Sequence, residues 1–418
     1  GELSHINVRC LRRGTPNAYI QNPLPVFAGY EGQLIKLEVT SDSYQIVFPV
    51  DLEEAEAWWK AHRPQISPLP VPDDIDSTVL SLPDLAKTLE GEELVRRYGG
   101  KASQLGILYS IMAPRYEGQP DIPILVDGFA IPFFYYTEFM RSNYIPDPNL
   151  SNAMVTLEEY IQGLLEDPRF RSDSEYRRKS LENFQEYIEM YGIVPNAWVD
   201  QIIAKIVEVF GSDPVKVRFR SSSNAEDDVA FNGAGLYDST SVCVADNLDG
   251  DDYGPSRCDP TAKKERTVER GLKRVWASLW NPRAYEEREY YQIEHRNVRM
   301  GVLVTLGYPA EDCNGVAFTG DPATGRKDYL VINVQQGDES VVQPGTGIIP
   351  EKDIVYLEHG WPSRIQRARP SSLMPTGEWI LSEEQLYELS SLMVEIDQNM
   401  PVETGEYTRD QIVFDLEF

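Results

Sequence analysis

Val215-Lys216-Val217-Arg218-Phe219-Arg220 runs without a break into Ser221-Ser222-Ser223-Asn224. Apolar and basic residues alternate with the two-residue period of a strand. Val215, Val217 and Phe219 therefore face a core, and Lys216, Arg218 and Arg220 line the opposite side. Three cations in one row are unfavourable unless anions lie opposite them. Arg220 leads directly into a donor-rich turn, and a planar guanidinium binds two phosphate oxygens at once. A basic strand edge that blocks edge-to-edge pairing has the same pattern, so the stretch by itself leaves both readings open.

The end of the chain has the same logic with opposite sign. In Gln411-Ile412-Val413-Phe414-Asp415-Leu416-Glu417-Phe418, the apolar residues Ile412, Phe414, Leu416 and Phe418 share one face. Asp415 and Glu417 share the other, with Cα atoms roughly 7 Å apart. Two carboxylates so placed repel each other unless a cation or basic groups lie between them, and Mg²⁺ takes one or two carboxylates together with phosphate oxygens and water. An edge strand with a solvated polar face fits equally well. Between these strands lies Asn232-Gly233-Ala234-Gly235, where backbone N–H groups can approach a phosphate closely. Gly99-Gly100-Lys101 opens a helix, Ala102 to Met112. Taken alone, the first of these reads as a turn and the second as a helix start with one surface lysine. His5 follows the N-cap candidate Ser4, so it belongs to the first turn of a helix, where a neutral imidazole and a bound anion are both favoured. Neutral imidazole is a nucleophile, although a single histidine is more often structural.

Length and charge bound the rest. A chain of 418 residues exceeds one compact domain. With 39 basic and 67 acidic side chains the net charge is −28, which argues against nucleic acid or an anionic membrane as partner. A chain this acidic that handles nucleotide is expected to use a divalent cation. The cysteines, Cys10, Cys243, Cys258 and Cys313, show no disulfide or zinc spacing and read as reduced thiols of a cytoplasmic protein. The chain opens at Gly1-Glu2-Leu3 with neither an initiator methionine nor a signal peptide, as expected of a piece of a longer polypeptide.

The composition divides the chain into residues 1–63, a short α/β unit; 64–77, a Pro-rich spacer with few anchoring groups; 78–230; and 231–418. Strands are expected at Asn17 to Ile20, Gly32 to Val39, Ile124 to Phe134, Val302 to Thr305, Gly315 to Thr319, Leu330 to Val334 and Gln411 to Phe418. Helices are expected at Leu52 to His62, Val268 to Trp280 and Glu383 to Asn399, with a long helical region from Thr156 to Phe210 broken near Asp167, Asp173 and Pro195. The fold class is α+β / α/β. The acidic loop Asp246 to Asp259 fails the calcium-loop spacing, since Ala245 stands where the first ligand belongs, and reads as solvated.

Taken together, these motifs resemble one family in order and spacing. Gly99-Gly100-Lys101-Ala102-Ser103-Gln104-Leu105-Gly106, Asp127-Gly128-Phe129, Arg220-Ser221-Ser222-Ser223-Asn224-Ala225-Glu226-Asp227 and Gly233-Ala234-Gly235-Leu236-Tyr237-Asp238-Ser239 resemble the nucleotide-binding domain of the dikinases: phosphoenolpyruvate synthase, pyruvate phosphate dikinase and glucan water dikinase. Trp276 to Trp280, Gly315 to Thr319 with Asp321-Pro322, and Asp415-Leu416-Glu417 continue the likeness. Leu3-Ser4-His5-Ile6-Asn7 with Gly14-Thr15-Pro16 resembles the second half of the family's swivelling phosphohistidine domain. Its position before the nucleotide domain matches the order in glucan dikinases.

The resemblance implies a bilobal ATP-grasp domain, with lobes 78–230 and 231–418, that binds ATP and Mg²⁺. It implies Lys101 and Arg220 as phosphate ligands, Gly233, Ala234 and Gly235 as a covering loop, Thr305 and Gly307 at the adenine, and Thr319 and Glu339 as further nucleotide contacts. Asp415 and Glu417 would hold the metal, and His5 would carry the phosphoryl group from ATP to an acceptor, a small molecule or a glucan. The sequence departs from the family at Thr305, where Gln is usual, and at Gln336-Gly337-Asp338-Glu339, where Gly-Leu-Gly-Glu is usual. The family's strand after the metal pair would follow Phe418, so an incomplete fragment is expected, with the remaining domains of the parent polypeptide as partners.

Overall fold

The computed structural model describes residues 10, 14–40, 42–64, 69–88, 91–115, 125, 127–211, 216–226, 231, 233, 235–251, 253–308, 311–322, 324–337, 339–342, 344–402 and 408–418. His5 and Ala234 lie outside them. The chain forms two compact units, Gln65–Pro309 and a second made of Gly1–Pro64 with Ala310–Phe418.

In the N-terminal stretch, β1 (Lys36–Val39) pairs antiparallel with β2 (Tyr44–Val47), and helix α1 (Leu52–His62) follows. Asp51 caps α1 by accepting the Glu53 N–H at 2.7 Å. Residues 17–20 form no strand, contrary to expectation; Gly14 and Pro16 precede them and the ladder begins only at Lys36.

Unit Gln65–Pro309 is built on an antiparallel sheet of order β3-β4-β9-β7-β8. Its elements are β3 (Leu80–Ser81), α2 (Leu82–Thr88), α3 (Glu92–Tyr98), α4 (Gly100–Met112), β4 (Gly128–Ile131), α5 (Phe133–Ser142), the hairpin β5 (Tyr144–Asp147) and β6 (Ala153–Thr156), α6 (Leu157–Glu166), α7 (Ser174–Tyr191), α8 (Asn196–Phe210), β7 (Lys216–Ser223), β8 (Thr240–Cys243), α9 (Val268–Ser278), α10 (Pro282–Tyr290) and β9 (Met300–Leu306). The breaks near Asp167 and Asp173 are N-caps: Asp167 accepts the Arg169 N–H at 2.8 Å and Asp173 that of Tyr176 at 3.0 Å. Thr156 and Glu159 form a capping box that starts α6. One sheet face packs Phe129, Ile131, Val217, Phe219, Val302 and Val304 into the main core with Trp276 and Phe184. The other carries Ala130 and Leu303 against Leu82, Leu85, Leu94 and Tyr98 of α2 and α3.

The Pro-rich stretch is anchored from residue 70 onward, and the expectation of few anchoring groups does not hold there. Arg97 bonds Asp73 at 2.6 Å and Asp76 at 2.7 Å, Asn224 reaches the Pro70 carbonyl at 3.4 Å, and Arg299 pairs with Asp74 at 3.3 Å. The aspartates that make the stretch polar are what tie it down. A second correction concerns the cysteines. Cys243 and Cys258 form a disulfide, while Cys10 and Cys313 are free; their fifteen-residue separation hid a loop that doubles back.

Residues Ala310–Phe418 form a second antiparallel sheet of order β13-β12-β11-β10-β14: β10 (Cys313–Phe318), β11 (Tyr329–Gln336), β12 (Glu351–Glu358), β13 (Trp361–Arg369) and β14 (Asp415–Glu417). Helix α11 (Glu383–Asn399), opened by a Ser382–Gln385 capping box, covers the face bearing Ala317, Leu330, Ile332, Val334 and Val355. The closing strand is shorter than expected, because Arg409–Gln411 is a 3₁₀ turn.

Candidate nucleotide site

The first group of candidate residues lies where α4 meets β7. Gly99 stands at φ +84°, and a Cβ there would sit 2.2 Å from the Ser222 carbonyl oxygen, so only glycine lets the helix start dock on the strand. The Ser222 hydroxyl fastens the junction, accepting the Ala102 N–H at 3.0 Å and donating to the Tyr98 carbonyl at 2.7 Å. Docking carries Lys101 to Glu226, with which it forms an ion pair, and to within 3.5 Å of the Ser221 hydroxyl. Glu226 is fully buried, accepts from Ser221 at 3.2 Å, and takes a long 3.4 Å contact from the Ser223 N–H. A Cβ on Gly233 would meet the Ala225 carbonyl at 3.0 Å and the Glu226 Cα at 3.2 Å, so the small-residue loop lies directly against the same turn. The Tyr237 hydroxyl, at the far end of that loop, donates to the Ala225 carbonyl at 3.1 Å.

β7 alternates as expected, with Val217 and Phe219 buried and Lys216, Arg218 and Arg220 half-buried on the other face. Across the ladder Arg220 faces Leu303 and Arg218 faces Thr305. Thr305 is buried, and Gly307 is tied to the Lys216 carbonyl at 2.7 Å. Thr305 and Gly307 thus stand at one end of the basic row, and Arg220 at the end nearer Lys101.

The second group of candidate residues lies on β14 and its neighbours. Register places Glu417, Val316, Asn333 and Lys352 in one cross-strand row, and Asp415, Phe318, Val331 and Ile354 in the next, on the same face. Asp415 and Glu417 are exposed. Asn333 is buried, and its Oδ1 has no hydrogen-bond partner. The two carboxylates are hard oxygen donors of the kind Mg²⁺ takes, and Asn333, one strand further across the sheet beyond Val316, adds an amide oxygen on the same face, so the donor types fit the metal. Thr319 holds the strand in place: its hydroxyl accepts the Phe414 N–H at 2.9 Å and its own N–H reaches the Phe414 carbonyl at 3.0 Å. Lys327 adds a bond to the Ile412 carbonyl at 2.7 Å. Glu339 spends a side-chain oxygen on the Gly345 N–H at 2.6 Å, which shapes the loop after β11.

Sequence reading passed over three of these groups. Glu226 stands two residues after Ser-Ser-Ser-Asn within the quoted motif, and an acid six residues beyond the last arginine of a basic strand is a visible signal. Asn333 reads as a polar interruption of an apolar strand. Arg288 is wholly buried, donating to His295 Nδ1 and the Tyr237 hydroxyl at 3.2 Å each, and nothing in the order of residues marks it.

A lysine and an arginine-serine strand meet here with Gly233 packed against the turn that follows. The family model for the pyruvate phosphate dikinase AMP/ATP-binding domain matches residues 95–401, more than half of the chain, and the chain belongs to that family. The matched span holds Lys101, Arg220 and the Gly233 loop and leaves out His5, Asp415 and Glu417. A probable phosphoenolpyruvate synthase of Pyrococcus horikoshii is 27% identical over 270 residues, covering 58% of this chain and 30% of that one. A phosphoenolpyruvate synthase of Deinococcus radiodurans is 27% identical over 290 residues, covering 65% and 30%. A rifampicin phosphotransferase of Streptomyces is 33% identical over 92 residues, covering 22% and 10%. The chain spans less than a third of the length of these relatives. Among the described residues no helix is long and apolar enough to cross a membrane.

Proposed function

We propose that the chain is the nucleotide module of an ATP-dependent dikinase, a bilobal ATP-grasp domain of the glucan-dikinase order with part of a phosphohistidine domain ahead of it. The observation that carries this reading is the Lys101–Glu226–Ser221 cluster beneath the Gly233 loop, in a chain of the AMP/ATP-binding family. Lys101 and Arg220 bind phosphate oxygens, the Gly233–Gly235 loop covers them, and Thr305 and Gly307 border the base. Asp415 and Glu417 hold Mg²⁺, which neutralises charge on the phosphates, while Thr319 and Glu339 shape the strand and loop that present it. His5 attacks the β-phosphorus and displaces AMP, taking the β,γ-pyrophosphoryl group; water then cleaves the β–γ bond to release phosphate, and the β-phosphoryl group left on His5 passes to the acceptor. Such transfer rests on positioning and charge neutralisation. ATP as substrate supports a cytoplasmic setting.

The acceptor is a small molecule or a glucan. The likeness to phosphoenolpyruvate synthases and to a rifampicin phosphotransferase favours pyruvate or an antibiotic, and the domain order favours a glucan; label from β-labelled ATP appearing on one of the three separates them. A nucleotide-binding scaffold without transfer is the remaining reading, and acid-labile, base-stable label on the protein excludes it. Lys101→Met and Arg220→Ala are each expected to weaken Mg²⁺-ATP binding at least tenfold by calorimetry with the fold intact. Asp415→Asn and Glu417→Gln are expected to weaken Mg²⁺-dependent binding while leaving metal-free nucleotide binding nearly unchanged. Undiminished affinity in all four variants removes the site assignment.

A further inference from the structure

The loop between β8 and α9 carries a cluster that ATP chemistry does not use. Its linear spacing rejects a calcium loop, but the chain folds back on itself there. The Cys243–Cys258 disulfide ties the loop to the end of β8. The buried Asp246 carboxylate accepts the Arg257 and Arg266 N–H groups at 2.7 Å each, and Asn247 Oδ1 accepts the Val268 N–H at 2.9 Å. These bonds bring Glu265, from the far side of the loop, to Asp249 and Asp251. One carboxylate oxygen of each residue lies within 4.8 Å of the other two. Oxygens bound to one Ca²⁺ at its usual distances stand no more than about 5 Å apart, and three protein carboxylates suit Ca²⁺ better than Mg²⁺, which takes one or two carboxylates and keeps several waters.

The second observation concerns Glu265 itself. It is only 4% exposed, and its Oε2 has no hydrogen-bond partner. A buried, unsatisfied carboxylate oxygen facing two more acids is costly without a cation. Arg257 offsets part of this charge by bonding Asp249 Oδ2 at 2.6 Å, and Asp251 Oδ1 accepts the Tyr253 N–H at 2.9 Å. Neither bond reaches Glu265 Oε2. Asp251 is exposed, so water has access to complete a coordination shell.

We infer that Asp249, Asp251 and Glu265 bind one calcium ion that braces the β8–α9 loop, at a site separate from the nucleotide metal. The test is calorimetric titration of Ca²⁺ into the metal-stripped chain without nucleotide, paired with thermal unfolding. The expected result is one Ca²⁺ per chain, a rise in Tm of several degrees, and Mg²⁺ binding at least tenfold weaker. Asp251→Asn and Glu265→Gln should each weaken Ca²⁺ at least tenfold, while the Asp415→Asn/Glu417→Gln double variant binds it as the parent does. Asp251 is exposed, so its variant reads the site even if Glu265→Gln fails to fold. Absence of Ca²⁺ binding, equal binding in Asp251→Asn, or tighter binding of Mg²⁺ than of Ca²⁺ overturns the inference.

Discussion

Asp353 and His295 are buried titratable groups whose surroundings push them in opposite directions along the pH scale. Asp353 lies on β12 beside Glu351, whose oxygens accept the Ile380 and Leu381 N–H groups at 2.6 and 3.4 Å. Burial and the neighbouring Glu351 push the Asp353 carboxyl up to about 8, against the opposing pull of Arg367. The folded chain therefore holds a proton that the unfolded chain has lost, and this contribution to stability declines as pH rises above about 4 and is gone above about 8. His295 stacks on Tyr285 at 4.2 Å and accepts from Arg288, and burial lowers its pKa from 6.5. Its contribution is present above 6.5 and falls as pH drops through the window below. Urea unfolding across pH should show both limbs. Asp353→Asn, which keeps a donor toward Glu351, should flatten the alkaline limb, and His295→Gln the acid one. Unchanged slopes in both variants contradict the assignment.

At the scale of elements, the α4–β7 junction decides whether the site forms. Gly99→Ala forces a Cβ into the Ser222 carbonyl at a positive φ, a cost above about 1 kcal/mol, so Tm should fall by roughly 2–4 °C or more, with weaker nucleotide binding. A variant as stable as the parent shows that the junction can relax. The helices were legible because their ends are chemically marked: Asp167, Asp173, Thr156 and Ser382 are caps, and α11 runs Glu383 to Asn399 as read. The β12–β13 hairpin was not read, since its turn rests on His359 and Gly360 at φ 54° and 81° and a histidine is an uncommon left-handed residue. The disulfide escaped for a related reason, as local spacing carries no record of a chain that doubles back. Thiol titration of the denatured, unreduced chain should find two thiols; four would mean that Cys243 and Cys258 are reduced in solution.

For the whole molecule, the motifs quoted from the sequence come in order, and those among the described residues fall into two groups, each on its own sheet, that the proposed function reads as half-sites. Lys101, the Arg220 strand and Gly233 meet through Glu226, a residue whose role is visible only when helix, strand and loop are assembled. Asp415 and Glu417 share a face with Asn333 through pairing of β14, β10 and β11, which is long-range information absent from any short window. If one nucleotide uses both half-sites, a Lys101→Met/Asp415→Asn cycle should show effects on Mg²⁺-ATP affinity that do not add; strict additivity would separate them. The most direct test is labelling of the His5-bearing chain within its parent polypeptide with ATP carrying radioactive phosphorus at the β or the γ position. The account predicts base-stable, acid-labile label from β-labelled ATP that persists once the γ-phosphate has been released as phosphate, with release of AMP and none in His5→Ala. Label from the γ position with none from the β, or undiminished label in His5→Ala, would contradict it.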